Sequence, residues 1–358
     1  MNTPTPAFFN PTTIGTLYRV PYQTRAAEAQ IYTKAHNIPP AHTDQARICL
    51  LAIDVQNTFC LPDFELFVGG RSGKGALEDT QRLCEFIYRN LAVISEIVPT
   101  LDTHTASQIF HAVFWVNEAG EHPQPMTTIS FEDVEQGKWQ VNPAVAKLLA
   151  TQAQGAAAMG EEAMGNNASV EAFAKHYAKQ LSERGKYPLT IWPYHSMLGG
   201  VGHALVPAFE EACFFHNLAR SSQTRFEMKG DNPLTENYSV LSPEVLSDAA
   251  NQPIAQKNNR LIQHLLSFDA VIIAGQAKSH CVAWTVSDLL NEIQAVDPAL
   301  AQKIYLLEDC TSPVVVPGVV DFTEQAAESY RKFAKAGMNI VQSVDSPRNW
   351  PGFPLKKQ

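Results

Sequence analysis

The stretch VIIAGQAKSHCVAWTVSDLL, residues 271–290, decides the fold. Its first four residues are apolar and mostly β-branched, which predicts a buried strand, and Gly275 ends that run. From Val282 onward the apolar residues recur at helical spacing, so a helix is expected to begin close to Cys281. Backbone N–H groups at a helix N-terminus are unpaired and partly positive, and they stabilise a thiolate or an adjacent oxyanion. Cys281 is therefore a candidate nucleophile, although a small core cysteine explains the residue about equally well.

Two other polar residues follow strand-like runs. The apolar run Ile48 to Ile53 ends on Asp54, which is either a helix N-cap or an acid at the carboxyl edge of a parallel sheet. Lys229 follows a short strand-like stretch and precedes Gly-Asp-Asn-Pro, a turn composition. A lone lysine is usually a solvated surface charge. Lys229 is therefore a candidate site residue only in combination with Asp54 and Cys281.

In chain order, these three places carry motifs that resemble those of the isochorismatase-like cysteine hydrolases, and above all those of the nicotinamidases. The motifs are D-x-Q-x-x-F at residues 54–59, K-G-x-N-P at 229–233 and G-x-A-x-x-x-C-V at 275–282. The resemblance extends over roughly residues 47–120 and 188–345. It implies a three-layer αβα fold around a mostly parallel central sheet.

The resemblance also implies roles for individual residues. Asp54, Lys229 and Cys281 would be catalytic, with Lys229 lowering the pKa of the thiol and Asp54 moving its proton. The backbone N–H groups of Ala277 and Cys281 would hold the tetrahedral oxyanion, and the Gln276–Ala277 peptide bond would be cis. The side chains that contact the substrate would be Phe59, Trp192 and Tyr238.

A further group of residues is suited to binding a metal ion. Asp102-x-His104 follows an apolar strand, His111 comes seven positions later, and His195 ends the sequence Ile-Trp-Pro-Tyr-His. One carboxylate and three imidazoles suit zinc, iron or manganese. Nicotinamidases have the same arrangement, so the resemblance implies one divalent transition metal, zinc first, with iron or manganese as alternatives. Here His111 lies one residue further along than the corresponding histidine of some relatives. The histidines outside this pattern are interpreted as surface or satisfied core residues: His203, His216, His264 and His280.

Composition narrows the class of protein. The chain has 358 residues, of which 45% are hydrophobic and 18% charged, so it can bury a full α/β core and still carry extensions. A net charge of −9 and the absence of a basic run with aromatics argue against nucleic-acid or membrane partners. There is no signal-peptide pattern or transmembrane stretch, and the six cysteines lack disulfide-framework spacing. We expect a cytoplasmic homo-oligomer with reduced thiols that acts on a small-molecule amide.

Apolar runs and amphipathic stretches alternate along the chain, which predicts a mostly parallel sheet with helices on both faces. Helices are expected at residues 77–94 and 257–267, among others. Strands are expected near residues 48–53, 96–101, 112–116, 188–192, 211–215, 224–228, 270–274, 303–308 and 338–342.

Two regions lie outside the hydrolase pattern. Residues 1–46 are an N-terminal extension rich in Pro, Thr and Ala, and residues 47–358 form the hydrolase domain. A helical insertion at about 121–187 interrupts this domain, with a flexible joint expected at Gly165, Asn166 and Asn167. The insertion could be a lid, an oligomer contact or a surface elaboration.

The function that the resemblance implies is hydrolysis of nicotinamide to nicotinate and ammonia by a metal-containing cysteine amidohydrolase, through a thioester. Lys278 and Ser279 stand where relatives usually have Thr followed by an acidic residue. This departure keeps open another amidase or ureidohydrolase of the same superfamily, acting on an aliphatic amide or a carbamoyl compound. A catalytically weak binding or regulatory protein is a third interpretation, against which the intact Asp54, Lys229 and Cys281 argue.

Overall fold

A parallel β-sheet forms the centre of the fold in a computed structural model that describes residues 3–157, 167–183 and 187–355. The strands are β1 (Ile48–Ile53), β2 (Glu96–Asp102), β3 (Trp115–Val116), β4 (Thr128–Ile129), β5 (Gln140–Val141), β6 (Leu189–Thr190), β7 (Glu227–Lys229), β8 (Ala270–Gly275), β9 (Ile304–Leu307), β10 (Val315–Val316), β11 (Val320–Asp321) and β12 (Asn339–Val341).

The central sheet has six strands in the order β12-β9-β8-β1-β2-β7, and each neighbouring pair is parallel. Every residue of β1 and β8 is buried, as expected for strands that helices cover on both faces. The carboxyl ends of parallel strands lie at the same edge of the sheet, so residues that follow them come together there. The predicted α/β fold with a mostly parallel sheet is confirmed.

Helices cover both faces of this sheet. They are α1 (Tyr22–His36), α2 (Asn57–Cys60), α3 (Gly75–Arg89), α4 (Phe131–Glu135), α5 (Pro143–Ala157), α6 (Asn167–Glu183), α7 (Pro207–Arg220), α8 (Asn259–Leu266), α9 (Cys281–Val296) and α10 (Thr323–Lys335). The even-numbered residues of β1 pack in one apolar cluster with α3 and α7. The odd-numbered residues pack in a second cluster with α6, α8, α9 and α10. Among the described helices, none combines the length and apolar character needed to cross a membrane.

The strand predicted at residues 211–215 is wrong, because this segment lies inside α7. The buried residues Phe209, Ala212, Cys213 and Ala219 recur at helical spacing, and Pro207 stands at the helix start, where its missing N–H costs nothing. The short run Ala-Cys-Phe-Phe-His has the apolar character of a buried strand, so only its neighbours identify it as part of a helix.

The strand predicted at 112–116 is also wrong over most of its length. Residues 112–114 form a 3-10 turn, and β3 is limited to two residues that pair with β5 outside the central sheet. The strand predicted at 188–192 shortens to β6, which pairs antiparallel with β4. These small sheets belong to the insertion and its junctions. Their strands are only two residues long, which is too short for the alternation of apolar and polar side chains to predict a strand.

The N-terminal segment packs closely on the rest of the molecule. Helix α1 lies against α7, and the Thr3 hydroxyl donates to the Tyr88 carbonyl at 2.6 Å. The fully buried Arg220 of α7 binds Asp44 through two contacts of 2.5 and 2.6 Å. A boundary between an extension and a hydrolase domain at residue 46 stays a prediction.

The insertion at about 121–187 contributes β4, α4, β5, α5 and α6. Buried residues of α6, such as Phe173 and Tyr177, join the apolar cluster on the face of α9. Of the predicted flexible joint, Gly165 and Asn166 lie outside the described residues, and Asn167 is the first residue of α6.

Candidate active site

The carboxyl ends of three strands bring the three predicted catalytic residues together. Asp54 directly follows β1, Lys229 is the last residue of β7, and Cys281 begins α9 after the loop that leaves β8. The Lys229 Nζ atom lies 3.0 Å from Asp54 Oδ2 and 3.7 Å from Cys281 Sγ. The Asp54 carboxylate is also close enough to the thiol to raise the pKa of Cys281. A thiol, a cation and a carboxylate therefore meet at one buried point.

Asp54 is held in place by its neighbour Thr100 on β2. The Asp54 N–H donates to Thr100 Oγ1 at 3.0 Å, and the Thr100 hydroxyl donates in turn to Asp54 Oδ1. Burial raises the pKa of Asp54 above its ordinary value, although Lys229 acts in the opposite direction. The Asp54 carboxylate is therefore a stronger base than a solvated aspartate.

Lys229 remains a cation despite its burial. Removal from water lowers the pKa of Lys229, but Asp102 and Asp54 outweigh this effect and hold that pKa well above its ordinary value. An ammonium ion fixed beside a carboxylate and a thiol can stabilise the thiolate that forms when the thiol gives its proton to the carboxylate.

The expected lowering of the thiol pKa is wrong for the resting site. Burial raises the pKa of Cys281, and although Lys229 lowers it, Asp54 and Asp102 add to the effect of burial. The resulting pKa of Cys281 stands well above its ordinary value. The sulfur therefore rests as a thiol, and its proton has to pass to Asp54 before it can attack.

The loop between β8 and α9 has two unpaired backbone donors. The Gln276–Ala277 peptide bond is cis, as predicted. Within the described ranges, the N–H groups of Ala277 and Cys281 have no hydrogen-bond acceptor. Gly275 is required at the start of this loop, because its φ is 111° and a Cβ there would lie 2.0 Å from the Ile53 carbonyl oxygen. Two free N–H donors beside a thiol are what an oxyanion site needs.

Three of the four predicted metal ligands form one buried group. The ligand atoms of Asp102, His104 and His195 lie within 4.8 Å of one another. His104 Nδ1 is 3.1 Å from the Gly230 carbonyl oxygen and His195 Nδ1 is 2.7 Å from that of Pro193, so each Nδ1 acts as a donor. The two Nε2 atoms lie 2.8 and 3.4 Å from Asp102 Oδ2. Two imidazole nitrogens and a carboxylate oxygen in this arrangement fit a divalent metal of borderline hardness.

The fourth predicted ligand, His111, lies outside this group. Its ring centroid is 5.8 Å from that of His104 and 6.4 Å from that of His195. Burial lowers the pKa of His111 to about 3, so its imidazole is neutral. His111 Nδ1 is 3.2 Å from the Ala106 carbonyl oxygen, and its buried Nε2 has no hydrogen-bond partner among the described residues. The free Nε2 is compatible with a ligand role, which stays a prediction.

Beside Cys281 lies a small cavity of about 130 Å³. Phe59, Trp192 and Tyr238 line it, and Trp192 Nε1 donates to the Tyr238 hydroxyl at 3.0 Å. The other apolar residues in its wall are Leu66, Phe67, Val68, Met126, Val314, Val315 and Val316. A mainly apolar wall that also carries the Cys281 thiol and the Lys229 ammonium suits a small, mainly apolar molecule with one polar substituent.

The cavity wall contains three titratable residues that the sequence interpretation did not assign to the site: Glu65, Glu236 and His280. His280 is buried and its Nδ1 lies 2.8 Å from Ser279 Oγ, which fits the predicted core histidine, but it also lines the cavity next to Cys281, with its ring centroid 4.5 Å from that of Tyr187 and 5.6 Å from that of Tyr238. Burial lowers the pKa of His280 to about 3, so the imidazole is neutral. Its position next to the nucleophile is the signal that could have revealed it. Glu236, a buried residue seven positions after Lys229, carried no such signal.

The two residues that depart from the family pattern differ in their surroundings. The Lys278 ammonium lies 3.1 Å from Glu308 Oε1 and over the Tyr330 ring, outside the cavity wall. Ser279 Oγ accepts from the Val314 N–H at 3.0 Å and lies 2.8 Å from His280 Nδ1. Lys278 therefore does not border the cavity, whereas Ser279 connects the nucleophile loop to the cavity wall.

The fold and the site define a parallel α/β protein in which a buried Asp–Lys–Cys cluster lies beside a group suited to a metal ion. No protein-family model matches the sequence, and no curated protein matches it. The chain is similar in structure to three solved proteins, described in turn. A nicotinamidase–pyrazinamidase of Acinetobacter baumanii has 18% identity and a TM-score of 0.47, over 85% of this chain and 99% of that one. A pyrazinamidase of Pyrococcus horikoshii, solved in complex with zinc, has 16% identity and a TM-score of 0.41, over 83% and 99%.

The third similar structure is an isochorismatase-like hydrolase from Alkaliphilus metalliredigens. It has 12% identity and a TM-score of 0.40, over 84% of this chain and 96% of that one. Identities this low show a likeness of fold alone.

Proposed function

We propose that the protein is a cysteine amidohydrolase that converts nicotinamide to nicotinate and ammonia. The observation that carries the proposal is the position of Lys229 Nζ, 3.0 Å from Asp54 Oδ2 and 3.7 Å from Cys281 Sγ, in the wall of a mainly apolar cavity. A buried thiol with both a base and a cation in contact is the arrangement that nucleophilic catalysis requires.

The first half of the reaction forms a thioester. Asp54 takes the proton of the Cys281 thiol, and the sulfur attacks the carbonyl carbon of the amide. The electron pair of the carbonyl double bond moves to oxygen, where the N–H groups of Ala277 and Cys281 hold the negative charge. Asp54 then gives its proton to the amide nitrogen, because amide ion is too basic to leave, and the C–N bond breaks to release ammonia.

The second half releases the acid. The Asp54 carboxylate takes a proton from water as the water oxygen attacks the thioester carbon. The C–S bond breaks, the proton passes from Asp54 to sulfur, and the carboxylic acid product leaves and loses its own proton to solvent. In each half Asp54 acts first as a base and then as an acid. The raised pKa of Asp54 suits both roles.

The cavity supports an aromatic substrate. Phe59 and Trp192 line its wall, and aromatic contacts between such side chains and a substrate ring contribute about 0.5–1.5 kcal/mol beyond the area that they bury. Asp102, His104 and His195 are the residues that would hold a metal ion. When bound there, a divalent ion would supply a Lewis-acidic position for the ring nitrogen of the substrate.

The test is release of ammonia by the purified protein, supplied with zinc, iron or manganese. The panel contains nicotinamide, an aliphatic amide and a carbamoyl compound, and the Cys281→Ala variant is the control. We expect wild-type protein to release ammonia faster from nicotinamide than from the other compounds, and the variant to release none. Preference for the aliphatic amide or carbamoyl compound would support the other amidase interpretation, and no release from any compound would contradict both.

A further inference from the structure

Tyr187, the last residue of the insertion, contacts the loop that carries the nucleophile. Its hydroxyl donates to the Ser279 carbonyl oxygen at 2.8 Å. Ser279 is 2% exposed and stands two residues before Cys281, between the cis peptide bond and the start of α9. A side chain that is remote in sequence thus holds the backbone next to the nucleophile.

The ring of Tyr187 is fixed by aromatic neighbours. Its centroid lies 4.5 Å from that of His280, 5.1 Å from that of Phe322 and 5.7 Å from that of Trp284. Burial raises the pKa of Tyr187 to about 12, so its hydroxyl remains a proton donor at neutral pH. Because the ring is held on several sides, the hydroxyl has little freedom to leave the Ser279 carbonyl.

This hydrogen bond is one of several contacts that restrain the loop, and it is the one that the Ser279 carbonyl accepts. The Gln276 side chain donates to Asp79 Oδ2 at 2.9 Å, and the Lys278 N–H donates to the Ser312 carbonyl at 2.8 Å. For the Ser279 carbonyl, the Tyr187 hydroxyl is the sole donor among the described residues. A buried carbonyl without a donor is unfavourable, so loss of the hydroxyl would favour a shift of the Ser279–His280 peptide unit, whose remaining backbone hydrogen bond runs from the His280 N–H to the Ala277 carbonyl at 3.0 Å.

The insertion has two more contacts with the site. Met126 lines the cavity, and the Tyr177 hydroxyl accepts from the N–H of Glu236, another cavity residue, at 3.1 Å. The insertion therefore touches the cavity wall, a residue in that wall and the nucleophile loop. Contacts of this kind favour a role in the site over a mere surface elaboration.

We propose that Tyr187 is a positioning residue for Cys281. Its hydroxyl holds the Ser279–His280 peptide unit in the orientation that puts Cys281 Sγ 3.7 Å from Lys229 Nζ. This inference rests on the proposed amidohydrolase activity for its effect on turnover. Its effect on the reactivity of the sulfur can be measured without any amide substrate.

The test compares Tyr187→Phe with Tyr305→Phe. The Tyr305 hydroxyl also donates to a backbone carbonyl at 2.8 Å, that of Pro351, and lies outside the cavity wall. Each variant keeps the ring and loses one hydrogen bond of the same kind. The measurements are kcat and KM for nicotinamide, the rate of Cys281 alkylation by iodoacetamide, and the Tm.

For Tyr187→Phe we expect kcat to fall about three- to tenfold, because the variant loses one neutral hydrogen bond. KM should stay within about twofold of the wild-type value. Alkylation of Cys281 should slow by a similar factor, and Tyr305→Phe should keep both rates. Unchanged kcat and alkylation in Tyr187→Phe, or an equal loss in both variants, would overturn the proposal. If wild-type protein hydrolyses no amide, the proposed function fails, and the alkylation rates still decide the role of Tyr187.

Discussion

The Lys229 ammonium group donates to Asp102 Oδ1 across 2.7 Å. The same nitrogen lies 3.0 Å from Asp54 Oδ2, so one buried cation contacts two buried carboxylates. One of these belongs to the predicted catalytic cluster and the other to the group suited to a metal ion. The two halves of the site are therefore coupled through Lys229, and neither is expected to survive its removal unchanged.

Replacement of Lys229 by methionine tests this coupling. Lys229→Met keeps the length of the side chain and leaves both carboxylates without their cation. We expect kcat/KM for nicotinamide to fall by at least about 100-fold. The control is Lys257→Met, because Lys257 pairs with Glu292 at the surface and should be dispensable. A Lys229→Met enzyme that keeps a tenth of the wild-type activity would contradict the assignment.

Selective alkylation tests the nucleophile. Cys281 is 8% exposed and lines the cavity, whereas the other cysteines are between 0% and 3% exposed. Limiting iodoacetamide at neutral pH should label Cys281 first and remove activity in proportion, as measured by peptide mass spectrometry. Equal labelling of several cysteines with retained activity would rule Cys281 out. The cysteines expected to stay unlabelled are Cys49, Cys60, Cys84, Cys213 and Cys310.

Elemental analysis tests the metal group. Wild-type protein should hold about one equivalent of a divalent transition metal, with imidazole bonds of about 2.0–2.2 Å if the ion is zinc. His195→Ala should lose that ion, because it removes one of the three converging ligands. His264→Ala is the control, since its imidazole lies 2.8 Å from Glu96 on a different part of the molecule. Less than about a tenth of an equivalent in wild-type protein would reject the site.

A buried ion pair provides a stability test of the N-terminal segment. Arg220 is fully buried and binds both carboxylate oxygens of Asp44 at 2.5 and 2.6 Å. Arg220→Met leaves Asp44 unpaired in a largely buried position, which should cost about 3–5 kcal/mol in the free energy of unfolding. Arg331→Met, at an exposed pair with Glu328, should cost less than about 1 kcal/mol. Equal midpoints of urea unfolding for the two variants would show that the Asp44 contact contributes little.

The sequence was sufficient to predict the site residues that lie at or after the ends of strands. Asp54 and Cys281 come after long apolar runs, and parallel pairing of β1 with β8 puts the ends of those runs side by side. Lys229 ends the edge strand β7, whose partner β2 ends at Asp102, and the register pairs these two residues directly. Short-range patterns therefore predict which polar residues meet, once the strands are known to be parallel.

The sequence was not sufficient to predict the residues that reach the site from distant segments. Val314 to Val316 and Met126 line the cavity and Tyr187 contacts the loop before Cys281, and each of these approaches depends on tertiary packing. The sign of the Cys281 pKa shift also depends on depth, because the sequence shows the nearby cation but does not show how fully the thiol is buried. In the helix at 207–220, a short apolar run had no local feature to separate it from a strand.

A comparison of two ring amides tests how the metal group and the substrate fit together. A pyridine nitrogen is a good ligand for a borderline metal, and nicotinamide carries its carboxamide at the 3-position of the ring. One molecule could therefore occupy the group at Asp102, His104 and His195 while its carbonyl carbon lies at Cys281. Benzamide has the same shape without the ring nitrogen. We expect kcat/KM for nicotinamide to exceed that for benzamide by at least about tenfold, which corresponds to about 1.4 kcal/mol in transition-state binding.

The same preference should shrink in His195→Ala, because this variant weakens the metal group while it leaves Asp54, Lys229 and Cys281 in place. The measurement is the ratio of kcat/KM values for the two amides in wild-type protein and in the variant, each supplied with the same metal. A ratio near one in wild-type protein would mean that the ring nitrogen makes no contribution, and the nicotinamidase proposal would give way to a broader amidase. A large ratio that His195→Ala leaves unchanged would place the recognition of the ring nitrogen elsewhere in the cavity, where the neutral His280 is the first residue to substitute.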